Sequence, residues 1–187
     1  MNGDKKFFIK TADGSSTLFC QEYGESMHSD SGAYEEALLK HVYPSKILEN
    51  NSSILNVLDI GFGLGYNILA LLSEAKKINL RKNINIISLE KEKGLLAFME
   101  KISFNDYRDE VYSIVKKAYS QGFVADGNIS IKILFDDGRE SLKKIDGIRF
   151  HAIFQDPYSP AKNPEMWSLH YFKQLFELID ENGILTT

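Results

Sequence analysis

The stretch Leu55-Asn56-Val57-Leu58-Asp59-Ile60-Gly61-Phe62-Gly63-Leu64-Gly65-Tyr66-Asn67 decides the fold. Its first six residues form an apolar run of strand length, and the glycines after Ile60 interrupt it. The spacing from Leu64 to Ala75 then predicts a helix. Glycine at such a junction lets the chain turn sharply and lets a ligand approach the peptide plane. The dinucleotide fingerprint G-x-G-x-x-G needs glycine at position 66, where Tyr66 stands. The spacing is instead G-x-G-x-G, with Asp59 two residues ahead of it. The residues alone leave open a plain glycine turn and a nucleotide site of another kind.

Working outward, strand and helix patterns alternate. A strand at Ile84–Leu89 ends in Glu90, and helices are predicted over Lys93–Ile102 and Asp109–Tyr119. Strands follow at Ile131–Phe135 and at Phe150–Gln155, the latter ending in Asp156. Ser168–Asp180 carries Leu169, Phe172, Leu175, Phe176 and Ile179 on one helical face. Glu181-Asn182-Gly183 reads as a helix stop, and Ile184–Thr187 begins a fifth strand. Alternating elements of this kind imply an α/β fold, a Rossmann-like parallel sheet with helices on both faces. The unbroken apolar strands agree, since they must be buried on both sides. Residues 51–187 are read as this core, truncated after the fifth strand, with further strands of the fold expected to be missing.

Residues 1–50 read differently, as an N-terminal extension. They carry five Lys against eight Asp or Glu. Phe7–Thr11 and Thr17–Cys20 around Ala12-Asp13-Gly14 predict a hairpin, and Ala33–Ile47 has helical spacing interrupted by Pro44.

Composition excludes several classes. With 43% apolar and 26% charged residues in 187, the chain can fill one core and is neither disordered nor fibrous. A net charge of −4 excludes nucleic-acid binding by bulk charge, though not by a local patch. No apolar run reaches the roughly 18 residues of a membrane span, and Met1–Lys10 holds no signal-peptide core. The single cysteine, Cys20, forms no internal disulfide and is read as a packed apolar residue in a cytoplasmic protein. His28 and His41 lack ligand-like spacing, so no metal is expected.

Acids stand at successive strand ends, where open α/β sheets bind ligands. Glu90 lies 25 positions after Gly65, where a carboxylate can accept from ribose hydroxyls. Asp136-Asp137-Gly138 follows the third strand and also fits a tight turn. Asp156-Pro157-Tyr158-Ser159-Pro160 follows the fourth; proline stiffens that loop, and Tyr158 can stack on a base.

These motifs carry a resemblance. Asp59 with Gly61, Gly63 and Gly65 resembles motif I of class I S-adenosylmethionine-dependent methyltransferases, and Asp156–Tyr158 resembles the D-P-P-Y type motif of amine methyltransferases. The longer run Asp156 to Trp167 is similar to the D-x-[FY]-[SA]-P-A-K-N-P-x-M-W signature of the methyltransferase domain of the bacterial tRNA wobble-uridine modification enzymes of MnmC type. Glu22–Ser29, Gly32–Glu36, Asp59–Asn67 and Asp137–Glu140 resemble further stretches of that family, with Gly138 where the family has Ala.

The resemblance implies the reaction: methyl transfer from S-adenosyl-L-methionine to the amine of 5-aminomethyl-(2-thio)uridine at the tRNA wobble position. It implies Asp59, Gly61, Gly63 and Gly65 as the cofactor loop, Glu90 at the ribose, Asp137 at the adenine with Asp136 as second choice, and Asp156 beside donor and amine. Tyr158 and Lys162 are expected to contact the substrate. Lys76-Lys77 with Arg81-Lys82, and Lys116-Lys117, are further candidates for phosphates. Many relatives fuse an FAD-dependent oxidase; here a separate oxidase or upstream tRNA-modifying enzyme is expected. The competing readings are a small-molecule amine methyltransferase or aminopropyltransferase on the same fold, and a non-catalytic fragment that only holds the donor.

Overall fold

The computed structural model describes residues 6–187. The reading of the extreme amino terminus rests in part on residues 1–5 and lies to that extent outside the described residues. The chain opens on a small antiparallel sheet. Strand β1 (Lys6–Lys10) pairs with β2 (Ser16–Cys20), placing Phe7 opposite Phe19 and Ile9 opposite Thr17. Asp13 shapes the turn between them by accepting from the Thr11 hydroxyl and the Ser15 amide. A third short strand, β3 (Glu25–Ser26), adds to β2 and had no signal in the sequence. Helix α1 (Ala33–Ala37) continues through a widened helical turn over Leu38–Val42 and stops ahead of Pro44, because proline cannot extend the hydrogen-bond ladder.

The main sheet contains β4 (Ile54–Ile60), β5 (Asn83–Glu90), β6 (Phe123–Asp126), β7 (Ile129–Phe135), β8 (Phe150–Gln155) and β9 (Ile179–Thr186). Its order is β6-β7-β5-β4-β8-β9, parallel except for β6, which runs antiparallel to β7. The helices between are α2 (Tyr66–Lys77), α3 (Leu96–Met99), α4 (Arg108–Gln121), α5 (Gly138–Leu142) and α6 (Leu169–Leu178). From β4 the chain winds outward first to β5 and β7, then to β8 and β9. The carboxyl end of β4 is therefore the switch point where such sheets open a crevice.

The period-two pleat divides the core. Val57 faces a layer formed by α2 and α4, while Leu58 and Ile60 face a layer that includes Leu142, Tyr171 and Leu175 from α5 and α6. The α2 layer also takes in Leu18, Ala33, Ala37 and Ile47 from the first fifty residues. No helix among the described residues is long and apolar enough to cross a membrane.

Local differences from the sequence reading have local causes. The helix expected over Lys93–Ile102 is a single turn, α3, since Gly94 lies near its start. Helix α6 ends at Leu178 rather than Asp180: Ile179 turns extended and joins β8 opposite Phe150. Asp180–Gly183 then bulges, and pairing resumes with Ile184 opposite Ala152. The β6 hairpin strand and α5 are short segments of four and five residues that carried no periodic signal.

One side chain fastens the small sheet to the core. The fully buried Tyr66 hydroxyl donates to the Ser16 carbonyl at 2.8 Å and accepts from the Ser16 amide at 3.2 Å. Tyr66→Phe leaves both backbone groups unpaired, and denaturant titration should show a loss of about 1–3 kcal/mol.

Candidate functional site

A cavity of about 900 Å³ lies at the carboxyl ends of the central strands, roofed by β3 and the segment after it. Its wall includes Gly61 and Gly63 after β4, Glu90 at the end of β5, Asp136 and Asp137 after β7, and Asp156 to Ser159 after β8. Seven of the nine residues singled out from the sequence thus meet in one space: Gly61, Gly63, Glu90, Asp137, Asp156, Tyr158 and Lys162.

Asp59 and Gly65 are not part of that wall. The Asp59 side chain is wholly buried behind the loop; Ser88 donates to Oδ2 at 2.5 Å and Asn67 to Oδ1 at 3.2 Å. Burial raises its pKa to about 6 against the lowering effect of those two donors. The α-carbon of Gly65 faces inward as well: a Cβ there would meet Val115 Cγ1 at 2.6 Å. Both residues shape the loop from within. The lysines at the end of α2 also lie outside the cavity wall, at the end of that helix away from the glycine loop, where Lys76 pairs with Glu110 and Lys77 with Glu74.

The glycine loop is shaped for close approach. A Cβ on Gly61 would stand 2.5 Å from the Asp156 carbonyl oxygen, so the β4 and β8 loops touch only because it is absent. Gly63 has φ +54, and a side chain there would enter the cavity, with Met27 Sδ 3.8 Å away as its nearest neighbour. Glu90 holds this loop: Oε2 accepts from the Gly63 amide at 2.8 Å, and Oε1 accepts from the Glu92 amide at 2.7 Å. Burial outweighs both bonds and pushes the Glu90 pKa up to about 7.

Asp137 caps α5 by accepting from the Arg139 amide, and its carboxylate is held by the Arg139 guanidinium at 2.8 Å. That guanidinium is the main cause of a pKa lowered to about 2. Asp136 pairs with Lys144 at 2.5 Å.

Asp156 is the most heavily partnered acid. Lys40 Nζ lies 2.5 Å from Oδ1, His41 Nε2 lies 3.5 Å from the same oxygen, and Asn67 Nδ2 donates to Oδ2 at 3.2 Å. Burial acts to raise its pKa, but His41 and Lys40 prevail and hold the carboxyl well below its usual range. His41 is itself fully buried, and its Nδ1 meets the Thr186 hydroxyl at 2.7 Å. Sequence reasoning missed Lys40 and His41, which stand more than a hundred positions from Asp156 in the chain. Asn67 stood inside the quoted loop, but its reach to Asp156 was not legible.

The side of the cavity along the β8 loop is aromatic. Tyr158 stacks on Tyr23 with centroids 4.1 Å apart, and its carbonyl accepts from the Trp167 indole at 2.8 Å. Met166 and Trp167 line the cavity too. Ser159 donates to Glu25 at 2.6 Å and joins the roof to the β8 loop. Lys162 is exposed at the rim, beside Gly24.

A space bounded by a bare glycine loop, an acid at the end of β5 and another after β7 suits a nucleoside that carries no phosphate. Fold and site together define an S-adenosyl-L-methionine-dependent methyltransferase. A family described as S-adenosyl-L-methionine-dependent methyltransferase matches residues 102–187. The chain is similar to methyltransferase domains of MnmC type. The solved structure of MnmC2 from Aquifex aeolicus superposes with a TM-score of 0.89 at 34% identity, covering 99% of this chain and 60% of that one. The bifunctional tRNA 5-methylaminomethyl-2-thiouridine biosynthesis protein MnmC of Aeromonas hydrophila is 27% identical over 91% of this chain and 29% of its own length. An uncharacterized protein of Methanocaldococcus jannaschii is 27% identical over 97% of this chain and 50% of its own. The chain thus spans half or less of these curated relatives.

The raised Glu90 pKa sets a pH dependence. A ligand whose hydroxyls donate to Glu90 needs the carboxylate form, and the expected outcome is that affinity for S-adenosylhomocysteine falls about tenfold as pH drops from 8 to 6. Glu90→Gln should bind more weakly at pH 8 and lose that slope in calorimetric titration. For the unliganded fold the sign is reversed. Stability from Glu90 is full below about 4.5 and is lost as pH rises through about 7.

Proposed function

We propose that this domain methylates the amine of 5-aminomethyluridine, or its 2-thio form, at the wobble position of tRNA. The observation that carries the reading is the shared cavity: the Asp156–Ser159 loop, similar to that of amine methyltransferases, opens onto the same space as Gly63, Glu90 and Asp137. The names of the Aeromonas and Aquifex relatives support the substrate class.

In this reading Gly61 and Gly63 present backbone to the donor, Glu90 accepts from the ribose, and Asp137 or Asp136 meets the adenine. S-adenosyl-L-methionine, when bound, supplies an electrophilic sulfonium methyl group. The protein's task is then to hold a neutral nitrogen in line with it, which is chiefly positioning. Asp156 accepts an N–H of the amine and aims its lone pair. Its low pKa makes it a poor proton store, so it orients the amine and does not act as a base. Tyr158 and Tyr23 frame the uracil ring, and Lys162 at the rim meets backbone phosphate. Residues 1–50 serve as the acceptor-side roof of the same domain. A separate oxidase or another upstream tRNA-modifying enzyme supplies the aminomethyl group, and the site is that of a cytoplasmic enzyme.

Purified protein, S-adenosyl-L-methionine and tRNA bearing 5-aminomethyluridine should yield 5-methylaminomethyluridine on nucleoside mass spectrometry. Methylation confined to small free amines would refute the tRNA reading. Asp156→Ala should lower turnover on the order of 10²-fold while leaving S-adenosylhomocysteine affinity nearly unchanged. Equal losses in both would place Asp156 at the donor instead.

A further inference from the structure

Lys40 has no part in the motifs that define the domain, yet its amino group occupies the cavity beside the strand-end acid. Nζ stands 2.5 Å from Asp156 Oδ1 and 3.8 Å from Glu36 Oε1, with its side chain about two-thirds covered. A carboxylate offers about four acceptor positions. On Asp156, Lys40 and His41 face Oδ1 and Asn67 bonds Oδ2. One position on Oδ2 remains for an incoming N–H.

We propose that Lys40 keeps the acceptor amine unprotonated by neutralising Asp156 before the amine arrives. The inference rests on the amine-methylation reading given above. An alkyl amine in water is mostly ammonium at neutral pH, its pKa being near about 10 by analogy with lysine. Placed against an unpaired buried carboxylate, it would be held as ammonium still more firmly and would have no lone pair to give. Placed against a carboxylate already paired with the Lys40 cation, it is favoured as the neutral amine. Transfer then balances simply. The amine nitrogen forms a bond to the methyl carbon, and the sulfur–carbon bond breaks with its electron pair going to sulfur. The secondary ammonium product releases its extra proton to solvent through the open mouth of the cavity.

The surroundings support this assignment of charge. From the α1 segment, Lys40 and Glu36 face the acid, and His41 lies beneath it. His28, whose pKa burial lowers, approaches from the roof, while Asp59 on β4 and Glu90 on β5 are both raised by burial. Lys40 is the cation nearest to Asp156 among the described residues. Lys40 acts through Asp156 and is therefore a positioning residue.

The test compares wild type with Lys40→Met, Lys40→Gln and Lys40→Arg, with S-adenosylhomocysteine affinity as the check on folding. In the pH profile of kcat on 5-aminomethyluridine tRNA, which reports groups in the bound complex, the Met and Gln variants should shift the rising limb up by about one pH unit. At pH 7 that is about a tenfold loss, which should disappear at alkaline pH. Arg should restore the wild-type profile. A loss of equal size at every pH, or none, overturns the proposal, and the Gln variant separates charge from mere contact.

A second readout does not depend on turnover. Calorimetry of an anticodon stem-loop bearing 5-aminomethyluridine is run in buffers of different ionisation enthalpy, with S-adenosylhomocysteine present. Wild type should release on the order of one proton on binding, and Lys40→Met and Lys40→Gln should release none. A wild type that binds without proton release, or does not bind, overturns the role of Lys40. Proton release without methyl transfer would instead overturn the catalytic reading alone.

Discussion

A buried carboxylate cannot stand alone in a protein interior; it must be paired or lose its charge. Asp156 meets that requirement with groups drawn from across the chain. Lys40 and His41 come from the segment after α1, and Asn67 comes from the first turn of α2. Thr186, at the end of β9, fixes the His41 ring from behind. The charge therefore ties the amino-terminal fifty residues, the glycine loop and the last strand to one point. Removing any of these groups changes the protonation balance of the acid as well as its packing.

The small sheet has a related dependence. It shares the α2 layer of the core through Leu18, and Tyr66 satisfies both backbone groups of Ser16. Its outer side reaches the β8 loop through Glu25 and Ser159 and through the Tyr23–Tyr158 stack. The roof of the cavity is thus anchored on the core at one end and on the β8 loop at the other.

Much of the fold was legible because it rests on local pattern. Strands buried on both faces must be apolar throughout, so Leu55–Ile60, Ile84–Leu89 and Phe150–Gln155 announced themselves, and each loop acid follows such a run. What escaped detection depends on contacts between distant segments. Lys40 reads in sequence as an ordinary partner for Glu36 one helical turn away, and that pair does exist at 3.8 Å. Nothing nearby shows that the same amino group also reaches the end of β8. Asp59 is the opposite case. Its spacing from the glycines suggested a ligand, while its side chain is fully buried and bonded by Ser88 and Asn67. The pleat decides which way a strand-end acid faces, and a one-residue difference reverses the answer.

The two halves of the cavity are built from different stretches of polypeptide. Gly63, Glu90 and Asp137 sit on loops of the central strands, whereas Tyr23, Glu25 and Lys40 all belong to the first forty residues. A change in the amino-terminal segment can therefore reshape one wall of the cavity while the wall built by the central strands stays as it is. Such modularity gives one scaffold a route to new clients without rebuilding its engine.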